Sequence, residues 1–291
     1  MKSLNEQIAE ITASNASRAS KKEALIKLGL HKDSVDIIMW QLPKETRPRT
    51  QRVKFTFGVE IECLVSPQLM RQTADANGLP YAYEGYNHRD NNRYYKFVSD
   101  ASIRGNNPIE CVSPVLQSTN GFASLELCCK SLNEANAQVN KSTGLHVHIG
   151  AQSLSDEAYI NVFHNYKMLE SVIDSFMAKS RRENNSQWCQ SLQNISFSRC
   201  ITKSDVYSAM HGNRYFKVNA VSYSRHKTIE FRQHQGSTDF AKISNWVRFC
   251  AKLVEFSKRN KLQAPIASIN DIPFLTATEK RFFNQRAEAL R

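Results

Sequence analysis

The sequence has no long apolar run and contains little glycine or proline. Ten glycines and eight prolines in 291 residues exclude collagen-like and low-complexity chains. The longest apolar stretch, residues 35–40, is interrupted by Asp36 and is far too short to cross a bilayer. The N-terminal residues alternate polar and apolar groups and lack the apolar block of a signal peptide. These absences predict a soluble, cytoplasmic protein with no membrane partner.

The signatures of several classes of site are also missing. The seven cysteines form no CxxC pair and are odd in number, which argues against a disulfide framework or a zinc knuckle. We therefore expect reduced, buried thiols. The chain has no GxxxxGKS/T loop, no GxGxxG turn, no GxSxG and no HExxH. Any nucleotide would have to bind on the surface of a sheet rather than in a glycine loop.

The chain does have the composition of a globular domain with a strong positive charge. Apolar residues make up 41% and charged residues 23% of the sequence, which is enough to build a core. The formal net charge of +12 predicts attraction to an anionic partner. Charge alone does not distinguish nucleic acid, a nucleoside triphosphate and an acidic substrate. The length fits one large domain, or one domain with a small appendage.

The first 54 residues predict a helical appendage followed by a basic linker. Ser20 and Glu23 form a capping-box pattern that would open a helix, and Gly29 would end it. A second short helix is predicted over about residues 34–42. A nucleic-acid-binding helix-turn-helix stays open, although no base-reading residues are evident. Residues 44–54 carry five basic side chains and predict a solvated linker, through which an anionic macromolecule would be a partner.

Residues 55–291 predict a single α+β domain. Period-two alternation marks strands, and longer amphipathic stretches mark helices. The predicted strands lie near residues 55–65, 94–98, 109–112, 144–150, 214–224 and 227–234. The predicted helices span about 68–76, 122–139, 153–182 and 239–258, with a tyrosine-rich loop at 81–86. Because the last two strands follow each other directly, we expect them to pair antiparallel.

Two glutamates stand on the same face of the first predicted strand in this domain. In a strand, residues i and i+2 point to the same side, about 6.5–7 Å apart. In FTFGVEIECLV the apolar side chains share one face, whereas Glu60 and Glu62 share the other. Like charges on one face are unfavourable, and a divalent cation such as Mg²⁺ or Mn²⁺ removes that penalty. A face that simply meets water is the alternative that this strand alone leaves open.

Three further strands repeat the pattern of polar residues opposite an apolar face. The residues so placed are His146, His148, Glu230, Arg232 and His234, together with Glu110 between apolar neighbours. A single histidine is more often structural than a ligand, but four such strands together favour a shared site. If these faces line one concave surface, they form a carboxylate-rich cleft suited to two Mg²⁺ ions and a triphosphate.

Five sequence blocks occur in order between about residues 55 and 258. They are FGVEIE, VSDASI leading to IECVSPVL, TGLHVHIG, RYFKVN and TIEFRQHQGSTD. In this order they resemble the amidoligase family, which comprises carboxylate–amine ligases with a glutamine-synthetase-like catalytic fold. The resemblance implies a curved, mainly antiparallel sheet around an ATP site, flanked by helices. It places the catalytic domain in residues 55–291 and leaves residues 1–54 outside it.

The resemblance also implies roles for the polar residues. The implied metal ligands are Glu60, Glu62, Glu110, His146 and Glu230. His148 would bind ATP phosphate, and Arg232 would bind the nucleotide and neutralise phosphate in the transition state, so Arg232 and Glu230 are the expected catalytic residues. Further candidates for contacts with nucleotide or substrate are Arg214, Asn219, Asp100 and Ser102. Ala101 and Ser237 depart from the family pattern, which leaves the roles of Asp100 and Thr238 open.

The implied reaction is the ATP- and Mg²⁺-dependent joining of a carboxylate to an amine. Phosphoryl transfer turns a carboxylate, which is a poor electrophile, into an acyl phosphate that an amine attacks. The partners would be a carboxylate substrate and an amine donor, and Mn²⁺ is the alternative cation. Two other functions stay open: a metal-dependent phosphoester hydrolase, and a basic nucleic-acid-binding protein with an inactive ligase-like domain.

Overall fold

A computed structural model describes residues 2–14, 18–41, 56–85, 89 and 91–291. The chain divides into two compact units, residues 1–52 and residues 53–291. The predicted basic linker, residues 44–54, and the first residue of the predicted strand at Phe55 lie outside the described residues, so a contact of the linker with an anionic macromolecule stays a prediction. Within the described ranges, every helix is too short or too polar to span a membrane.

The first unit contains three short helices. These are α1 (Leu4–Ala13), α2 (Arg18–Lys27) and α3 (Lys32–Gln41). Leu25, Val35 and Met39 are the buried centre of a small apolar cluster between them. Gly29 follows α2 with a φ of 80°, a left-handed conformation that ends a helix without strain. The predicted start of α2 was wrong, because Ser20 lies inside the helix and does not cap it.

The second unit is built on one seven-stranded sheet. Its strands are β1 (Phe57–Leu64), β2 (Tyr81–Tyr83), β3 (Tyr95–Val98), β4 (Pro108–Val112), β5 (Gly144–Gly150), β6 (Val218–Asn219) and β7 (Thr228–Gln235). The spatial order is β2-β3-β4-β1-β5-β7-β6. All neighbouring pairs are antiparallel except β2 and β3. The prediction of an α+β domain with a mainly antiparallel sheet flanked by helices is confirmed.

In the described part of this unit, seven helices accompany the strands of the sheet. They are α4 (Pro67–Asn77), α5 (Ser118–Glu134), α6 (Asp156–Ser175), α7 (Lys203–Ala209), α8 (Ser222–His226), α9 (Phe240–Ser257) and α10 (Ala277–Ala289). Helix α9 packs against β5, α5 and α6. Side-chain caps fix several helix starts, since Ser66, Ser155 and Asp239 each accept a hydrogen bond from a backbone N–H in the first turn.

The apolar core lies on one face of the sheet. Phe57, Val59, Ile61 and Cys63 of β1 are buried in it, as the alternation of the sequence predicts. All seven cysteines are free, and six are buried while Cys200 is half-buried. Buried thiols without disulfides were expected, and this expectation is confirmed. The other face of β1 is left for the polar side chains described below.

Several predicted elements differ from the structure. Residues 81–83, expected in a loop, form the edge strand β2. The predicted helix 153–182 ends at Ser175, because Phe176 turns into the core, where its ring packs against that of Phe283 at a tilt of 39°. The predicted strand 214–224 contains only the two residues of β6 and then becomes α8, which a left-handed Lys227 ends before β7. Helix α5 ends at Glu134 instead of residue 139, and the expectation missed α7 and α10.

Candidate active site

Strand register brings the predicted metal ligands together on the sheet face opposite the core. Residues paired across neighbouring strands point to the same side of a sheet. Glu62 of β1 pairs with Glu110 of β4, and Glu60 pairs with His146 of β5. One step further along the sheet, His148 of β5 pairs with Glu230 of β7. The register alone therefore places these six residues on adjacent strands in one patch.

Side-chain distances show that the patch is a contact cluster centred on His146. Its Nδ1 atom lies 2.9 Å from Oε2 of Glu60 and 3.7 Å from Oε1 of Glu230. Its Nε2 atom lies 3.5 Å from Oε1 of Glu62. Two strands, β1 and β7, thus direct carboxylates at one imidazole of β5, and these residues converge as the sequence predicts.

The carboxylates are buried, which excludes the alternative that this face simply meets water. The residue surfaces of Glu62, Glu110 and Glu230 are 5%, 8% and 5% exposed, and the Glu60 side chain is 25% exposed. Burying several like charges without counter-ions is strongly unfavourable. A cluster of this kind is therefore a candidate site for binding cations.

Three overlapping groups of side chains have ligand atoms close enough to hold a metal ion. The groups are Glu60–His148–Glu230, Glu60–Glu110–His146 and Glu62–Asp100–Glu110. Within each group the ligand atoms lie within 4.8 Å of one another. We call the five carboxylates Glu60, Glu62, Asp100, Glu110 and Glu230 the acid cluster. Asp100, a candidate for contacts with nucleotide or substrate, lies with Glu62 and Glu110, and its role stays a prediction.

The surroundings shift the pKa values of the clustered carboxylates in opposite directions. Burial, followed by the charges of Glu60 and Glu62, raises the pKa of Glu110 well above its usual value. Burial opposes ionisation of Glu230 too, but Arg232 and then His148 outweigh it and lower the pKa of Glu230 to about 2. At Glu60 burial is likewise outweighed, here by His148 and His146, so its pKa lies well below the usual value. Burial acts in the same direction on all three acids, and the charges that adjoin each one either add to it or outweigh it.

His148 lies at the end of the cluster next to Glu230. Its Nδ1 atom is 2.9 Å from Oγ1 of Thr228. Its Nε2 atom is buried, 3.3 Å from Oε1 of Glu60, and makes no hydrogen bond. Although burial opposes protonation, the charge of Glu60 raises the pKa of His148. An unsatisfied ring nitrogen beside carboxylate oxygens is a donor set that suits a divalent cation, so these residues fit the metal that the sequence predicts.

Arg232 contributes a guanidinium to this site, and Asn219 holds the glutamate with which Arg232 pairs. Nη1 of Arg232 donates a hydrogen bond to Oε1 of Glu230, and Nε donates to the carbonyl oxygen of Trp188 at 3.4 Å. Nδ2 of Asn219 donates to the other oxygen of Glu230 at 2.6 Å. Glu230 is thereby fixed by donors on two sides. Arg214 is exposed, and its guanidinium lies 5.5 Å from the ring centre of Tyr215, with no ion pair to the acid cluster among the described residues.

His234 does not lie on the site face, and the prediction that placed it there was wrong. The pairing of β5 with β7 shifts between Leu145 and Val147, so that His234 pairs with Leu145, a core residue. The imidazole lies 5.9 Å from the ring of Trp246. Burial, followed by the charge of Arg286, lowers the pKa of His234 to about 3. An irregularity within a strand breaks the period-two rule, and the sequence alone gave no sign of it.

Two cationic residues near the site were missed. Lys96 of β3 pairs with Val112, which pairs with Glu60, so Lys96 shares the site face and is buried there. The alternation in YYKFV could have revealed it. Arg181 lies in a 3₁₀ turn, Lys179–Arg181, beside Gly144. Nothing local in the sequence could have revealed it, because the turn falls within the helix predicted at 153–182.

The other residues named from the sequence have local roles. The backbone N–H of Ser102 donates to Oδ1 of Asp100 at 2.7 Å, which fixes the Asp100 side chain. Oγ1 of Thr238 donates to Oδ1 of Asn133 at 2.6 Å, and Ser237 Oγ accepts from the backbone N–H of Asp239. Ser237 and Thr238 thus serve the turn before α9.

Comparisons with known proteins agree with the sequence resemblance. A family model described as "Putative amidoligase enzyme" matches residues 53–254, which is well over half of the chain. Among curated proteins, none matches the chain. A solved structure described as "Crystal structure of novel glutamine synthase homolog" is 13% identical, with a TM-score of 0.38, and the match covers 81% of this chain and 62% of that one. The chain therefore spans less than two thirds of that protein, and this similarity is too low to carry an argument.

Proposed function

The chain belongs to the amidoligase family, and from this membership we propose that it is an ATP- and Mg²⁺-dependent ligase that joins a carboxylate to an amine. Membership in the family supports a carboxylate–amine ligase in general. The observation that carries the finer proposal is the buried acid cluster with His146 and Arg232 on one face of the sheet. A cluster with more carboxylates than cationic groups, next to the guanidinium of Arg232, suits cation-assisted phosphoryl transfer.

Each residue type in the site has a function in this proposal. Glu60, Glu62, Glu110, His146 and Glu230 would hold Mg²⁺ or Mn²⁺. A bound cation would neutralise negative charge on the phosphate groups. Arg232 and His148 lie beside Glu230 and would bind phosphoryl oxygens. Asn219 would keep Glu230 oriented rather than contact the nucleotide.

The proposed reaction has two steps. A carboxylate oxygen of the substrate bonds to the γ-phosphorus as the bond to ADP breaks, which gives an acyl phosphate and ADP. The amine nitrogen then bonds to the carbonyl carbon, its proton passes to a carboxylate or to water, and phosphate leaves. Arg232 is the group of this chain that would stabilise phosphoryl charge in both steps.

Hydroxylamine trapping tests this proposal without knowledge of the natural amine. Hydroxylamine is a small amine that converts an acyl phosphate into a hydroxamate. The wild-type protein is incubated with ATP, Mg²⁺, hydroxylamine and a pool of carboxylic acids, and both ADP and hydroxamate are measured. We expect both products in equal amounts and only when an acid is present. The Glu230→Gln variant should form neither while it keeps the wild-type fold by circular dichroism.

Three results would contradict the proposal. The first is no ADP and no nucleotide binding with any acid pool. The second is phosphate-ester hydrolysis with water as the only acceptor and a requirement for Zn²⁺, which would favour the hydrolase. The third is tight, salt-dependent binding of nucleic acid that Glu230→Ala leaves unchanged, without any turnover.

A further inference from the structure

Arg181 is a buried arginine with a rigid backbone. Its residue surface is 4% exposed. Its N–H donates to the carbonyl oxygen of Ala178 at 2.8 Å, and its own carbonyl oxygen accepts from Nε2 of Gln233 at 3.1 Å. Gln233 follows Arg232 directly in β7. The turn that carries Arg181 is therefore attached to the strand that carries the other arginine of the site.

Among the residues that the structure describes, the guanidinium of Arg181 has no carboxylate counter-ion. Nη2 donates to the carbonyl oxygen of Thr143 at 2.7 Å, but across the part of the chain that the structure describes no carboxylate lies within 4.0 Å of it. Arg232, by comparison, is paired with Glu230. A buried guanidinium without an anion is unfavourable, and most of its five N–H donors are left for another partner.

Gly144 is the reason that this guanidinium reaches the acid cluster. A Cβ atom at this position would lie 3.1 Å from Nε2 of His146 and 3.3 and 3.4 Å from Nη2 and Nη1 of Arg181. Imidazole and guanidinium therefore approach the same small space. The backbone N–H of Gly144 donates to Oε2 of Glu62 at 2.6 Å, so this space adjoins the Glu62 end of the cluster.

Arg181 and Arg232 are at different ends of the cluster. Glu230, the partner of Arg232, pairs with His148, whereas Arg181 adjoins Gly144. Three residues of β5 lie between Gly144 and His148, so the backbones of these two residues are about 13 Å apart along the strand. The phosphoryl group proposed at the Arg232 end thus leaves the Arg181 end for a different anion.

We propose that Arg181 binds the carboxylate of the acid substrate and is a specificity-determining residue of the site. This inference rests on the proposed ligase function and adds a binding group for one of its two substrates. The planar fork of a guanidinium matches a carboxylate with two parallel hydrogen bonds. Because Gly144 has no Cβ atom, the guanidinium of Arg181 can lie beside the imidazole of His146, at the edge of the cluster that such a carboxylate would meet.

The test compares two variants of Arg181 with a matched control. Arg181→Met removes the charge, and Arg181→Lys keeps it without the fork, in case the methionine variant does not fold. Arg182→Met is the control, because Arg182 is the neighbouring residue and, among the described residues, donates only to the carbonyl oxygens of Met177 and Leu290.

The hydroxamate assay is run with succinate, glutarate, L-aspartate and L-glutamate, and KM is measured for the acid and for ATP. We expect the KM for the acid to rise about 10- to 100-fold in Arg181→Met, the loss of a charge-assisted hydrogen bond. Arg181→Lys should lie between it and the wild type, and the KM for ATP should stay unchanged.

A second measurement separates failure of this inference from failure of the proposed function. Thermal shifts of the wild type and the variants are recorded with a non-hydrolysable ATP analogue plus Mg²⁺, and with each acid alone. No hydroxamate and no shift with the nucleotide would overturn the ligase function, and this inference with it. A shift with the nucleotide but with none of the four acids would overturn only the role of Arg181. So would an equal rise of both KM values, or an Arg182→Met variant that behaves like Arg181→Met.

Discussion

The domain buries two groups of charged side chains, and they differ in whether the chain itself satisfies them. One is the acid cluster on the open face of the sheet. The other, which we call the lysine network, consists of Lys217, Glu170, Asp174, Gln233 and Tyr166, between α6 and the last two strands. Both contain several buried carboxylates. The comparison shows which kind of burial builds a fold and which kind builds a site.

In the lysine network every carboxylate oxygen has a donor from the chain. Nζ of Lys217 lies 2.8 Å from Oε1 of Glu170 and 2.7 Å from Oδ1 of Asp174. The second oxygen of Glu170 accepts from the backbone N–H of Leu192 at 2.9 Å, and that of Asp174 accepts from the backbone N–H of Glu183 at 2.8 Å. Gln233 also donates to Asp174 and accepts from Tyr166. The network is complete without any ligand.

In the acid cluster, the described part of the chain does not provide a hydrogen-bond donor for every carboxylate. Glu230 accepts from Asn219 and Arg232, and Glu62 accepts from the backbone of Gly144. Within the described ranges, the Glu110 carboxylate accepts no hydrogen bond. A buried polar network whose hydrogen bonds are all made within the chain rigidifies the fold. A buried network with unpaired charges is instead a candidate to bind an external partner. The predictions below test this difference through the free energy of unfolding.

Breaking the lysine network should have the largest effect. Lys217 is 0% exposed, and Lys217→Met leaves two buried carboxylates without their cation. We expect a loss of about 3–5 kcal/mol in the free energy of unfolding, measured by urea denaturation. Lys130→Met is the control, because its ion pair with Glu134 is on the surface and contributes less than about 1 kcal/mol. Equal losses in the two variants would show that the network does not stabilise the fold.

Divalent cations should stabilise the protein through the acid cluster alone. Binding to the native state adds about 2.7 kcal/mol when the free cation is 100 times its dissociation constant. We expect the melting temperature to rise with Mg²⁺ or Mn²⁺ and to return to its starting value in EDTA. Glu60→Gln, which alters two of the three candidate groups, should reduce the shift. A shift that Glu60→Gln leaves intact would place the cation elsewhere.

The stability of the cation-free protein should depend on pH through Glu110. Burial, then Glu60, raises the pKa of this carboxyl, so the folded state binds its proton more tightly than the unfolded chain does. That contribution is present at low pH and is lost as pH rises through the raised pKa. Melting curves in EDTA between about pH 5 and pH 8 should show a smaller decline in Glu110→Gln than in the wild type. Because the wild type and Glu110→Gln both retain His148, its contribution cancels in the comparison. Parallel melting curves for the two proteins would contradict the prediction.

Removing one carboxylate from the cluster should change stability least. In Glu62→Gln the amide oxygen can still accept the hydrogen bond from Gly144, and a like charge disappears. We expect the free energy of unfolding in EDTA to stay within about 1 kcal/mol of the wild type. Hydroxamate formation should nevertheless collapse in the assay described above. A destabilisation similar to that of Lys217→Met would mean that the cluster is part of the fold rather than a site.

The alternation of polar and apolar residues along the strands predicted which residues form the site, but it could not predict the turns and irregularities around it. Glu60, Glu62, His146 and Glu230 could be placed on one face because β1, β5 and the start of β7 follow the period-two rule. His234 could not, because the shifted pairing next to His146 depends on contacts between strands. A local pattern determines the face only as far as the pairing stays regular.

The parts of the site that the sequence missed, or whose role it left open, are those that tertiary contacts bring in. Asp100 lies in a loop, and the ring of acids that it joins becomes visible only when β1 and β4 are paired. Arg181 depends on the end of α6 at Ser175, which burial of Phe176 causes. Arg181 is distant in sequence from the motifs that it adjoins, and no spacing rule connects it to them.

The distribution of thiols gives the protein an internal reporter of its opening motions. Six cysteines are buried and only Cys200 is half-buried, so an alkylating reagent should modify one thiol per native chain quickly. Each further adduct requires the region around that cysteine to open, and its rate reports the free energy of that opening. Mass spectrometry of the adducts would therefore map local stability across β1, β4, α5 and α9 without any introduced probe.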